Sequence, residues 1–221
     1  MKKLIALTFA LFTFFGTSFA DQVKKVACVG DSITYGFGIK GRETLNYPYV
    51  LQTMLGDKYK VENFGVRGRS IGKKTKLCYT KEKAYKASLE FKPDIVVIML
   101  GTNDAAPQNM AFLAELERDF SSLVESYIKL PERPTVYICT IPPSFPSKHA
   151  IQEVNLARVR AVVNDVAKKK KLPVIDVYSI LKEDEIEFFQ KDKIHPSAEG
   201  AREIAEIVFD AITKKETSSK K

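Results

Sequence analysis

The stretch Val26-Ala27-Cys28-Val29-Gly30-Asp31-Ser32-Ile33-Thr34 decides the fold. A short apolar run stops at a Gly-Asp-Ser turn, so it reads as a buried strand that hands over to the next helix. A serine at that junction holds its hydroxyl on a rigid edge. Gly, Asp and Ser are ordinary turn formers, and the tripeptide gains weight only from its company further along the chain. Each later stretch with chemical potential also follows an apolar strand-like run: the glycines after Asn63, the turn Gly101-Thr102-Asn103-Asp104, and Asp192 with His195.

Working outward, strands are expected near 24–29, 59–64, 94–100, 135–140 and 172–177, separated by helical periodicity. That alternation implies an α/β fold with a five-stranded parallel sheet wrapped on both faces. The unbroken run Ile95 to Leu100 is the expected central strand, because only a strand covered on both sides tolerates continuous apolar sequence. Tyr47, Val50, Leu51, Met54 and Leu55 share one helical face. Leu113, Leu116, Phe120, Leu123, Val124 and Tyr127 form a longer stripe, with further stripes over Val159–Val166 and Ile204–Ile212. The loops around 36–45 and 66–80 are rich in Gly, Lys and Arg and are expected to rim a site.

Lys2 and Lys3 precede an apolar run from Leu4 to Phe15, and Ser18 and Ala20 supply small residues for cleavage. Residues 1–20 therefore read as a secretory signal peptide, with export and no stable membrane insertion after cleavage. Residues 21–213 form a single domain, and 214–221 are expected to be a disordered tail. The formal net charge is +8, but the surplus sits largely in Lys168–Lys171 and beyond Lys214. Solvated ends account for it, and no nucleic-acid partner is expected. Three cysteines, two of them in apolar runs, imply no disulfide framework, and with only His149 and His195 no metal site or cofactor is expected. His149, on a polar loop, reads as a solvent-exposed residue.

In open parallel sheets ligands bind at the carboxyl ends of the strands, where all these polar motifs fall. Acyl transfer needs a nucleophile, a base, an orienting carboxylate and donors for the oxyanion. Ser32 is the candidate nucleophile, and its own backbone N–H is one donor. Gly68 offers a second N–H, and Asn103 offers a side-chain amide that donates without proton transfer. In Asp192-Lys193-Ile194-His195-Pro196 one turn can place the carboxylate on Nδ1 and leave Nε2 for the serine.

These four blocks in order resemble the SGNH, or GDSL-type, hydrolases: Gly30-Asp31-Ser32, Gly68, Gly101-Thr102-Asn103-Asp104, and Asp192 to Pro196. The resemblance spans nearly the whole chain after the leader and implies a flavodoxin-like three-layer α/β/α sandwich and a serine esterase. It also implies Gly68, rather than Gly65, as the oxyanion glycine. The sequence is most similar to bacterial carbohydrate O-acetylesterases of the sialate O-acetylesterase-like branch, which implies a glycan ester or small-molecule ester as substrate. A lysophospholipase, acyl thioesterase or arylesterase would use the same triad, and a non-catalytic carbohydrate-binding domain is the reading from another class. Arg67 and Arg69 flank Gly68; at least one of the two is read as gripping the carboxylate of an acidic sugar, the alternative being that each packs along the loop or pairs with a protein acid.

Overall fold

The computed structural model describes residues 22–148 and 150–219, so the stretch read as a signal peptide, residues 1–20, and His149 lie outside the described residues. In chain order the elements are β1 (Lys24–Gly30), α1 (Ser32–Tyr35), α2 (Arg42–Leu45), α3 (Tyr47–Leu55), β2 (Tyr59–Gly65), α4 (Lys83–Glu90) and β3 (Ile95–Met99). Next come α5 (Leu113–Ile128), β4 (Thr135–Cys139), α6 (Glu153–Lys169), β5 (Val174–Ile175), α7 (Val177–Leu181), α8 (Glu185–Phe188) and α9 (Ala198–Ser219).

All four strand pairings are parallel, in the order β2-β1-β3-β4-β5, which is the flavodoxin-like order. Successive side chains on a strand point to opposite faces. Ala27, Val29, Val96 and Ile98 therefore pack under Phe120, Leu123, Tyr127, Val159 and Val163 of α5 and α6. Val26, Cys28, Val97 and Met99 pack under Tyr47 and Leu51 of α3 and Ile204 and Val208 of α9. Each such fully buried large apolar side chain contributes roughly 1.5–3 kcal/mol.

Some elements differ from those expected. β5 is two residues long, because Pro173 has no N–H for the ladder and Asp176 already caps α7 by accepting from the Ser179 N–H at 3.2 Å. α4 is absent from the expected elements, since only Tyr85 and Leu89 of its eight residues mark an apolar face. α9 runs on to Ser219, through most of the stretch expected to be disordered. Its apolar stripe ends at Ile212, and an ion pair from Lys214 to Asp210 supports the next turn at helical spacing.

The strand order reverses between β1 and β3, whose carboxyl ends open the crevice where such sheets bind ligands. Ser32 lies just past β1 there, and Asn103 just past β3.

Candidate active site

The serine is fixed from below by Asp31, which caps α1 by accepting from the Ile33 N–H at 3.0 Å. Ser32 thus stands at the first position of a one-turn helix, 6 % exposed. The histidine comes from the opposite end of the chain on a turn closed by Asp192. Its Oδ1 accepts from the Ile194 N–H at 3.1 Å and the His195 N–H at 3.0 Å, and Lys193 takes a left-handed φ of 64° to make the bend. Gln190 ties that turn to the serine loop, donating to Phe37 O at 2.7 Å and Pro196 O at 2.8 Å. The Phe37 ring meets the imidazole edge-on at 4.8 Å between centroids.

With these elements in place, His195 Nε2 lies 2.9 Å from Ser32 Oγ, and Nδ1 lies 2.6 Å from Asp192 Oδ2. Burial pushes the Asp192 carboxyl up, but hydrogen bonds from the His195 ring and from two backbone N–H groups outweigh it and hold the group below the usual carboxylate range. A carboxylate kept ionised selects the tautomer with the proton on Nδ1, and Nε2 is then an acceptor for the serine proton.

The second wall comes from the ends of β2 and β3. Gly65 packs against the backbone of Tyr35, where a Cβ would come within 2.3 Å of that residue's N, so it is a packing glycine. Gly68 has a left-handed φ of 73° and lines a cavity of about 430 Å³ with Ser32, Phe37, Arg67, Arg69, Asn103 and His195. Among the described residues, the N–H groups of Ser32 and Gly68 take no protein acceptor. The loop carrying Gly68 is pinned by Asp104, which accepts from the N–H groups of Ile71 and Gly72 at 2.8 and 2.9 Å, and by Asp119 of α5, which accepts from Lys73 N at 2.8 Å.

Asn103 donates its amide to Arg69 O at 3.0 Å and to Asp31 Oδ2 at 3.3 Å. The two arginines part company. Arg69 is tied to Glu82 at 2.8 Å and donates to Arg67 O at 2.7 Å, so its charge already has a protein partner beside the cavity that it lines. Arg67 lies over Phe37, its Cζ 3.9 Å from the ring centroid, and makes no ion pair among the described residues. A separate cavity of about 690 Å³, by β5 and α9, contains none of these groups.

A family model described as GDSL-like lipase/acylhydrolase matches residues 28–203. The chain belongs to that family. The family's description is of lipases and acylhydrolases, and an aligned serine, histidine and carboxylate suit acyl transfer. It is similar to an acetylxylan esterase of Xylanibacter ruminicola, at 36 % identity over 210 residues that cover 87 % of this chain and 44 % of the relative. The chain thus spans less than half the length of that curated relative. Among solved structures it is similar to a carbohydrate acetylesterase from Sinorhizobium meliloti, with a TM-score of 0.72 and 20 % identity over 86 % of this chain and 99 % of that one. It is also similar to an aryl esterase of M. smegmatis, with a TM-score of 0.71 and 20 % identity over 86 % and 99 % of the two chains. At such identities these two share the fold.

Two acids of this GDSL-type chain have roles that the sequence alone does not give, although both stand in its motifs. Burial, against the lowering effect of hydrogen bonds from Ile33, Thr102 and Asn103, pushes the Asp31 carboxyl up to about 7. Burial likewise raises Asp104 to about 6, against hydrogen bonds from Ile71 and Gly72. A carboxyl whose folded pKa is raised stabilises the fold fully below its unfolded pKa, and that contribution is lost as pH rises through the folded value. For Asp31 the loss runs from about pH 4 to about pH 7 and is on the order of 4 kcal/mol. We expect the Tm of wild type minus that of Asp31→Asn to fall across this window in thermal melts. A difference that stays flat with pH would show that Asp31 titrates alike in both states.

Proposed function

We propose that the chain is an exported serine esterase that hydrolyses O-acetyl esters of carbohydrates through an acyl-enzyme. The observation that carries the reading is the hydrogen-bonded series Ser32 Oγ, His195 Nε2, His195 Nδ1 and Asp192 Oδ2, at 2.9 and 2.6 Å. His195 takes the proton from Oγ as it attacks the ester carbonyl, and the imidazolium that forms is stabilised by Asp192. The tetrahedral intermediate collapses as Nε2 returns the proton to the leaving sugar hydroxyl. Water, deprotonated by the same nitrogen, then attacks the acetyl-serine carbonyl. As the bond to Oγ breaks, Nε2 gives that proton to Oγ, restoring the Ser32 hydroxyl and releasing the acetyl group as acetic acid, which ionises to acetate.

The N–H groups of Ser32 and Gly68 and the Asn103 amide are assigned to the oxyanion. To serve there, Asn103 exchanges its longer bond, to Asp31, for one to the developing charge, so its contribution falls in the transition state. Asn103→Ala should therefore lower kcat about 100- to 1,000-fold with a smaller change in KM. A raised KM with kcat preserved would make Asn103 a ground-state binding group instead.

The carbohydrate assignment draws on similarity to the acetylxylan esterase. Acetate release from acetylated glycans, set against hydrolysis of 4-nitrophenyl esters of increasing acyl length, tests it. Faster cleavage of long acyl chains would move the chain to the lysophospholipase or thioesterase reading. Arg67 remains for a substrate carboxylate. In Arg67→Ala the ratio of kcat/KM for an acetylated acidic sugar to that for a neutral one should fall about tenfold or more, as a charged hydrogen bond requires. An unchanged ratio would leave the guanidinium a packing group. Export rests on the leader alone, and secreted protein beginning at Asp21 would bear it out, whereas an uncleaved N-terminus would not.

A further inference from the structure

We propose that a second cavity, opening off the catalytic one, is a subsite for a neighbouring sugar residue of the glycan that carries the ester. The inference rests on the esterase reading above and adds the length of substrate that the site engages. The cavity measures about 660 Å³. Gly68 and Asn103 line both cavities, so the two meet at the groups assigned to the oxyanion. An acetyl group fills a small part of either, whereas cavities of several hundred cubic ångströms enclose ligands of several rings.

The lining decides between a sugar and an acyl chain. Leu77, 49 % exposed, and Phe112 offer apolar surface, and Gln108, Asn109 and Lys76 stand among them. The amide of Asn109 is held by donating to Asn103 O at 2.8 Å, and its Oδ1 accepts no bond among the described residues. Lys76 has no ion-pair partner among them either. An acyl chain would return no hydrogen bond to these two amides and the Lys76 ammonium, which line this cavity. A pyranose lays its C–H face on Phe112 and Leu77, donates hydroxyl protons to the amide oxygens of Gln108 and Asn109, and accepts from the Lys76 ammonium at a hydroxyl oxygen. The wall formed by the 66–80 loop is in place before substrate arrives, since Asp104 and Asp119 hold it.

Two readouts test this independently. The first is kcat/KM for acetylated xylotetraose against acetylated methyl xyloside. The ratio should be about ten or more in wild type and fall toward one in Phe112→Ala and in Gln108→Ala, a change at an exposed position. The second is calorimetric binding of unacetylated xylotetraose, expected to weaken about tenfold in Phe112→Ala. A wild-type ratio near one while acetate is still released would overturn the subsite and leave the esterase reading standing. Faster hydrolysis of 4-nitrophenyl octanoate than of the acetate would give the cavity to an acyl chain and also overturn it. If no acetyl ester is cleaved, the esterase reading fails and calorimetry decides: Phe112-dependent binding upholds the sugar subsite, and no binding ends it.

Discussion

Ser32→Ala is expected to lower ester turnover by about 10⁴-fold or more, with little change in KM, because removing the nucleophile of a serine triad leaves only binding and oxyanion stabilisation. The hydroxyl contacts His195 Nε2 at 2.9 Å at the mouth of a cavity and belongs to neither apolar core. Folding should therefore change by no more than one lost hydrogen bond, about 0.5–1.5 kcal/mol. Initial rates on 4-nitrophenyl acetate, with Tm measured on the same samples, separate the two quantities. A fluorophosphonate should label wild type at Ser32 and leave the alanine variant unmodified by mass spectrometry. Retention of most of the wild-type kcat in that variant would remove Ser32 from the chemistry, and the proposed acyl-enzyme with it.

The fold is legible in the sequence where burial on two faces leaves a mark on every residue. Ile95 to Leu100 admits no polar side chain because helices cover both sides of β3, and the stripes of α3, α5, α6 and α9 arise from one-sided packing. α4 is not legible, since its packing rests on two residues. The site is legible where one residue type at a strand end suffices: Ser32 after β1, Asn103 after β3, and His195 with Asp192 on a single turn. What escapes depends on contacts between distant segments. Glu82 neutralises Arg69 from 13 positions away, Asp104 binds Ile71 and Gly72 across more than 30, and Gln190 reaches Phe37 O across 153. Local periodicity carries no trace of such pairs. The burial of Asp31 and Asp104 has a faint signal, in that each carboxyl comes after an apolar strand with no basic residue beside it.

Asp192→Asn should lower kcat by about 10³- to 10⁴-fold while leaving the turn intact. The two oxygens of this carboxylate have separate duties. Oδ1 accepts the N–H groups of Ile194 and His195, and an asparagine carbonyl oxygen can take both over. Oδ2 accepts from His195 Nδ1, and the amide NH₂ that replaces it is a donor. Nδ1 must then become the acceptor, the ring proton moves to Nε2, and Nε2 can no longer take the proton of Ser32. The loss is thus one of tautomer, with distances preserved. Asp192→Ala removes the turn's acceptor as well and should lower Tm below that of the asparagine variant. Melts of the two variants, together with kcat on 4-nitrophenyl acetate, distinguish the roles. If Asp192→Asn keeps kcat within about tenfold of wild type, the carboxylate serves the turn alone, and the imidazole is oriented by Phe37 and the Gln190 clamp without it.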